Sequence, residues 1–351
     1  MRTIVNILIY ILLSNSVVFA ADEHNNLNEN PGSAVVLTYH RFGDARYPST
    51  NITLEQFEQH LKYLSDNNFT LWPLSKILNY IAEAKKLPKK TVAITMDDAY
   101  HTIYTNAYPR LKAKKIPFTV FVNTRAIDTK SKNYTSWEEM REMSLNGAEF
   151  ANHSLTHAYL AREKSETKES WKRRAKGEIE GAQTRLQQEL GDSTNTQPKL
   201  FSYPFGEYSQ EVADLLKELE YVGVTQTSGV VDARSDLRAL PRFPMAEAFG
   251  DEKGFILKVN TLPLAVESAS PKEPLVGSQN PPILEIKFPH AVKNLGCYKA
   301  DGERVEIQWL SQTKVQIQAK TSLKGPRDRY TCTAPAKDTK WYWYSHLWII
   351  K

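Results

Sequence analysis

Cysteine is nearly absent: the 351 residues hold two, Cys297 and Cys332, both near the C-terminus. Neither has another cysteine or a histidine close beside it, which excludes a metal site built on cysteine. An even pair inside one short segment of an exported chain points instead to a disulfide. Long apolar runs are also missing beyond the N-terminus, so no later stretch can span a bilayer. Basic runs are missing too. The formal charge is +5, and setting aside Arg2, in a segment expected to be removed, leaves +4 (5 − 1). That balance is too mild to argue for nucleic acid as a partner. No internal repeat is visible.

What remains is a chain that is 41% apolar and 24% charged, large enough for a barrel-sized core and a small extra domain. Residues 1–20 read as a secretory signal peptide, with Arg2 ahead of the apolar run Ile4 to Leu13 and Val18-Phe19-Ala20 at the cleavage site. Asn6, Ser14 and Asn15 interrupt that run, which argues against a retained anchor. The mature protein is therefore expected to be exported, periplasmic or secreted, with no stable membrane span. Residues 21–34 are polar and Asn-rich, a flexible lead-in.

From Val35 onward apolar runs alternate with helical periodicity. Val35 to His40 is a strand, and Thr53-Leu54-Glu55-Gln56 is a capping box ahead of Leu54, Phe57, Leu61 and Leu64 at helical spacing. Leu71 to Leu87 reads as a second helix and Phe118 to Val122 as a strand. Ser136-Trp137-Glu138-Glu139 opens a short helix. Trp171, Ala175, Ile179, Ala182, Leu186 and Leu190 form the buried stripe of a long one stopped by Gly191. Such alternation means parallel strands. Residues 263–282 turn to Pro, Ser, Glu and Val, a linker. Beyond it Ile283–Lys287, Arg304–Gln308 and Lys314–Gln318 alternate with period two, giving a small antiparallel β domain over 283–351. Its aromatic end, Trp341 to Trp348, suits either a sugar-stacking platform or, preferably, core packing.

The chemistry is carried by two short stretches. Thr95-Met96-Asp97-Asp98 closes the apolar run Val92-Ala93-Ile94 with adjacent carboxylates. Strand neighbours point to opposite faces, but where the strand bends into a loop both can turn to one site. The plainer alternative is a helix cap and a solvated acid. His153-Ser154-Leu155-Thr156-His157 follows the run Ala148 to Asn152, and on a helical turn its two imidazoles share a face within reach of one ion. Two imidazoles and a carboxylate make a three-ligand set open to water, leaving the other Asp as a base.

With Tyr203-Pro204-Phe205-Gly206 added, this pattern resembles the polysaccharide (NodB-type) deacetylases, carbohydrate esterase family four, over about Val35 to Leu262. The resemblance implies a distorted (β/α) barrel over 35–262 and metal-dependent removal of acetyl groups from N-acetylglucosamine-containing polymers. It assigns Asp98, His153 and His157 to a divalent metal, zinc by donor type, and Asp97 to the general base. Tyr203, Pro204, Phe205 and Gly206 become the wall facing the sugar, with a backbone N–H near Phe205 completing an oxyanion site.

The sequence departs from the family pattern twice. Ser202 stands where many relatives carry an Arg, and Arg242, in Leu-Pro-Arg-Phe-Pro, looks like its substitute, able to orient Asp97. Asp232 and Asp236 are weaker candidates. The family's last motif supplies a general-acid His, and Phe255 to Val259 has none. His40, at the end of the first strand, is the candidate acid and Glu247 a lesser one. His40, Asp97, Asp98, His153, Tyr203 and Arg242 all fall at the C-terminal ends of expected strands, the rim where barrel enzymes do their chemistry. An esterase or other amide hydrolase of the same fold, or a carbohydrate-binding protein without turnover, fits the same residues.

Overall fold

The computed structural model describes residues 32–194 and 196–350. The signal segment 1–20 and the lead-in as far as residue 31 lie outside them. The lead-in ends earlier than its composition suggests, because Ser33 and Ala34 already belong to the first strand, paired with Asp232 and Val231.

Six strands run parallel in chain order: β1 Ser33–Tyr39, β2 Thr91–Asp97, β3 Phe118–Val122, β4 Ala148–Asn152, β5 Lys199–Ser202 and β6 Tyr221–Val224. The ring is closed by two short strands on the remaining edge of β1. Its first half pairs antiparallel with β7, Val230–Asp232. Its second half pairs parallel with β8, Phe243–Pro244, while Leu240 bridges back to Val224 of β6. That split edge is the distortion of the (β/α) barrel, and it carries Arg242 across the gap.

Strand alternation sorts the side chains into two layers. Val36, Ala93, Phe121, Ala151, Leu200 and Val222 cluster inside with Leu74, Ile77 and Leu78 of the helix Leu74–Ala82. The opposite faces, Val35, Leu37, Val92, Ile94 and Val120 among them, pack under the outer helices through Phe57, Leu61, Leu111 and Met140. The helix Leu54–Asp66 begins at the expected Thr53–Gln56 capping box, and Ser136 and Glu139 form a second one. Helix Lys168–Leu190 buries the six residues of its predicted stripe. The helix expected over 71–87 is shorter, because Leu71 pairs with Val92 in the sheet and Pro73 sets the start. No helix among the described residues is long and apolar enough to cross a membrane.

The C-terminal region is a sandwich of two four-stranded sheets around a shared core of Leu284, Ile286, Val315, Ile317, Tyr330 and Trp348. Residues 262–270 are not simply a linker. Leu262–Pro263 pairs parallel with Tyr342–Trp343, and Ser268–Ser270 pairs with Glu285–Lys287. Short strands of Ser, Ala and Pro give no apolar alternation to read; backbone bonds such as Leu264 N–H to the Trp343 carbonyl hold them. The aromatic run divides between core and barrel: Tyr342, Tyr344 and Trp348 pack in the sandwich, while Trp343 meets Phe243 of β8 edge-on at 5.4 Å. Cys297 and Cys332 lie directly opposite on paired strands and form the disulfide. Because it closes a separation of 35 residues, replacing both by Ala is expected to destabilise the sandwich by about 4 kcal/mol. Thermal melting of the double variant against the oxidised parent checks this.

Candidate functional site

The site stands on the rim formed by the C-terminal ends of the parallel strands. Asp97 is the last residue of β2 and follows Ala93 and Thr95 on the inward face, so its carboxylate points into the mouth of the barrel, fully buried. Asp98 adopts φ +73° and Ala99 φ +51°. Those left-handed residues break the strand alternation and bring both carboxylates to one side. The bend in the chain, anticipated from the adjacent acids, has this concrete cause.

Asp97 is the better insulated of the two. Arg242, itself fully buried, donates to it in bidentate fashion, Nη1 to Oδ1 at 2.8 Å and Nη2 to Oδ2 at 2.7 Å. The remaining guanidinium donors go to the Thr225 carbonyl (2.8 Å), Thr95 Oγ1 (3.1 Å) and Ser202 Oγ (2.9 Å). Ser202 in turn donates to Asp97 Oδ2 at 3.3 Å. Ser202 and Arg242 thus share the place given to a single Arg in the resembled pattern. Burial by itself would raise the Asp97 carboxyl, but the Arg242 guanidinium, with His153 and His40, overrides it and holds the group far below the usual carboxylate range.

Asp98 faces the two imidazoles. Its Oδ1 lies 3.5 Å from His153 Nε2 and 3.4 Å from His157 Nε2, and one donor atom from each of the three residues falls within 4.8 Å of the others. His153 Nδ1 donates to the Ser202 carbonyl at 2.8 Å, which leaves the Nε2 lone pair directed at Asp98. Asn123, at the end of β3, donates to Asp98 Oδ1 at 3.3 Å. The donor set, its spacing and the fixed His153 tautomer fit a divalent ion. Burial pushes the His157 imidazole down to about 4, helped by the neighbouring His153, and so keeps it in the neutral, ligating form. Burial opposes charge on His153 as well, yet the Asp98 and Asp97 carboxylates leave it above its ordinary value.

The histidines converge by a route the spacing did not reveal. Residues 153–160 form no helix; Ser154 at φ +65° and His157 at φ +59° turn the chain back on itself. Ser154 N–H is held by Asn152 Oδ1, and His157 N–H by Ser154 Oγ, both at 2.9 Å. Glu178, midway along the long helix, accepts from Thr156 N–H and Thr156 Oγ1 at 2.8 Å each. Asn123, Ser154 and Glu178 therefore support the site without having been singled out in the sequence. Only Ser154, lying between the two histidines, carried any local signal.

His40 sits just past β1, its Nε2 3.9 Å from Asp97 Oδ2 and 3.3 Å from the Gln226 amide nitrogen. Burial lowers its imidazole despite the two carboxylates nearby. Tyr203 is a correction. Its ring is buried against Phe201 and Tyr208 and its hydroxyl donates to the Arg238 carbonyl at 2.6 Å, so it faces away from any sugar. Pro204 is buried likewise. Phe205 is the exposed member, 45% accessible, edge-on to His157 at 4.5 Å. Gly206, at φ +71°, passes so close to Gln226 that a Cβ would fall 2.7 Å from its backbone nitrogen. The weaker candidates are engaged elsewhere: Asp232 with Arg234, Asp236 with Arg238 and Glu247 with Asn51.

Residues 84–224 match the family model for polysaccharide deacetylase. The chain is 29% identical over 224 residues to the YxkH protein of Bacillus subtilis, covering 61% of this chain and 72% of that one. It is 26% identical over 246 residues to the poly-β-1,6-N-acetyl-D-glucosamine N-deacetylase of Staphylococcus aureus, covering 64% and 83% respectively. Among solved structures, the deacetylase PplD of Streptococcus pyogenes superposes with a TM-score of 0.57 at 21% identity, over 66% of this chain and 99% of that one. That likeness shows a shared fold.

Proposed function

The chain belongs to the polysaccharide deacetylase family, hydrolases of carbon–nitrogen bonds, and on that premise we propose that it is an exported, metal-dependent N-deacetylase of N-acetylglucosamine polymers. The observation that carries this reading is the pairing of an ionised, Arg-held Asp97 with a separate Asp98–His153–His157 donor set beside it. The signal-like N-terminus and the disulfide support export. Similarity to the Staphylococcus aureus enzyme makes a poly-β-1,6-linked glucosamine polymer the first substrate to try.

Asp98, His153 and His157 would hold the ion, for which zinc suits the donors. When bound, a divalent ion supplies Lewis acidity that polarises the acetyl oxygen and acidifies water. Asp97 accepts a proton from the water that attacks the acetyl carbon. Arg242 keeps it from acting as a ligand itself by occupying both of its oxygens. The Phe205 N–H receives the oxyanion as the carbonyl becomes tetrahedral. Because Asp97 is held so acidic, it stores a proton poorly, and His40 Nε2 stands 3.9 Å from its Oδ2. The proton passes to His40, which delivers it to the departing amine as the carbon–nitrogen bond breaks. Gln226 can meet either form of that imidazole, as donor to the neutral ring or, turned over, as acceptor from the charged one.

Acetate release from poly-β-1,6-N-acetylglucosamine oligomers, measured metal-free and with zinc, tests the proposal. The expected result is release that depends on the ion and disappears in His40→Gln with the metal still bound. Stoichiometric zinc without acetate from any N-acetylated oligomer defeats it and favours another acyl substrate.

A further inference from the structure

The Tyr203–Gly206 turn is gripped from outside the barrel. Arg327 opens the strand Arg327–Pro335 of the C-terminal sandwich, in register with Ile349 of the neighbouring strand. Its Nη1 donates to the Phe205 carbonyl and lies 3.6 Å from Glu207 Oε1. Phe205 has a left-handed backbone, φ +61°, which a bulky side chain adopts only at a cost. The turn's own bonds, Gly206 N–H to the Tyr203 carbonyl at 2.8 Å and Glu207 N–H to the Pro204 carbonyl at 3.2 Å, hold it from within, and the Arg327 contact adds a tie from outside the barrel.

What the turn touches gives the tie its meaning. On one side the Phe205 ring lies edge-on against His157, in the donor set. On the other, Gly206 packs onto Gln226, whose amide meets His40. A shift of this turn therefore moves a wall of the metal-donor pocket and the partner of the proposed acid together. We infer that Arg327 is a positioning residue: the C-terminal sandwich, through this side chain, fixes the Phe205–Gly206 turn against His157 and Gln226 and is thereby part of the catalytic unit. The inference rests on the deacetylase reading for its kinetic consequence, but not for the tie itself.

The test compares full-length Arg327→Ala and Arg327→Lys with Gln210→Ala. The last variant removes another contact between the barrel and the segment leading to the sandwich, Gln210 Nε2 to the Lys272 carbonyl, which involves no residue of the 203–206 turn. Expected for Arg327→Ala is a fall in kcat of about tenfold with KM changed by less than about twofold, because the reacting groups are misplaced rather than the sugar released. Lysine should restore most of the rate. Amide hydrogen exchange across residues 203–208 should rise in Arg327→Ala and stay at the parent level in Gln210→Ala. Equal kcat losses in the Arg327→Ala and Gln210→Ala variants, tracking their melting temperatures, would mean a general interdomain contact and overturn the inference. If the parent itself releases no acetate, the deacetylase reading fails separately. Exchange then decides alone: a turn unloosened in Arg327→Ala refutes the tie.

Discussion

Asp97→Asn is expected to lower acetate release by about 10²–10⁴-fold while zinc still binds stoichiometrically. The substitution keeps the shape of the side chain and removes the carboxylate proposed as the general base. The introduced amide also retains an oxygen for Arg242, so the rim keeps its outline, although the buried guanidinium loses its countercharge. Some thermal destabilisation should therefore accompany the loss. Titration calorimetry with zinc separates the two effects: an unchanged stoichiometry shows that Asp98, His153 and His157 are still assembled. Near-parental turnover in Asp97→Asn would shift the base to another residue, with His40 first in line. Asp98→Asn should behave in the opposite way, losing zinc and activity together.

Much of this site could be read from residue order because its members are local pairs. Adjacent acids at a strand end and two histidines four apart are visible without any knowledge of the fold. The stripe from Trp171 to Leu190 was visible for a similar reason, since helical periodicity is written in consecutive turns. What escaped depends on contacts between distant segments. Asn123 and Glu178 brace Asp98 and the histidine loop from 25 and 22 residues away, and nothing in their own neighbourhoods marks them. The histidine loop has helical spacing but left-handed turns at Ser154 and His157, a route set by side-chain bonds to Asn152 and Ser154. The direction of Tyr203 escapes for another reason: an aromatic residue beside a Pro-Gly turn gives no sign of which way it faces. Here a backbone carbonyl, that of Arg238, satisfies its hydroxyl in the core. Arg242 was legible through the resemblance, since Ser202 stands where many relatives carry an Arg and the pattern implies a substitute elsewhere. The barrel's split edge then delivers it.

That delivery makes Arg242→Met the second large effect. With the guanidinium gone, the Asp97 carboxylate stays buried without its bidentate partner, and breaking such a pair costs about 3–5 kcal/mol. The cost should depend on pH in a definite sense. In the parent, Arg242 holds the folded-state pKa of Asp97 below its unfolded value. Asp97 therefore contributes stability that is present above the ordinary carboxylate pKa and lost only as pH falls through the depressed folded value. In Arg242→Met burial is the largest influence left, and it acts upward. The folded pKa then lies above the parent's, so the variant is relieved by protonation at a higher pH than the parent and shows its full penalty only once pH rises above that value. The melting-temperature gap between parent and variant, measured metal-free, should be widest near about pH 8 and narrow toward about pH 4. The acid limb of any remaining activity should move upward in pH for the same reason. Arg242→Lys should fall between the two, keeping a charge but losing the planar fork that reaches Asp97, Thr95, Thr225 and Ser202 together. A gap of constant width across that range would mean that Arg242 stabilises the barrel by packing against Phe121 rather than by ionising Asp97.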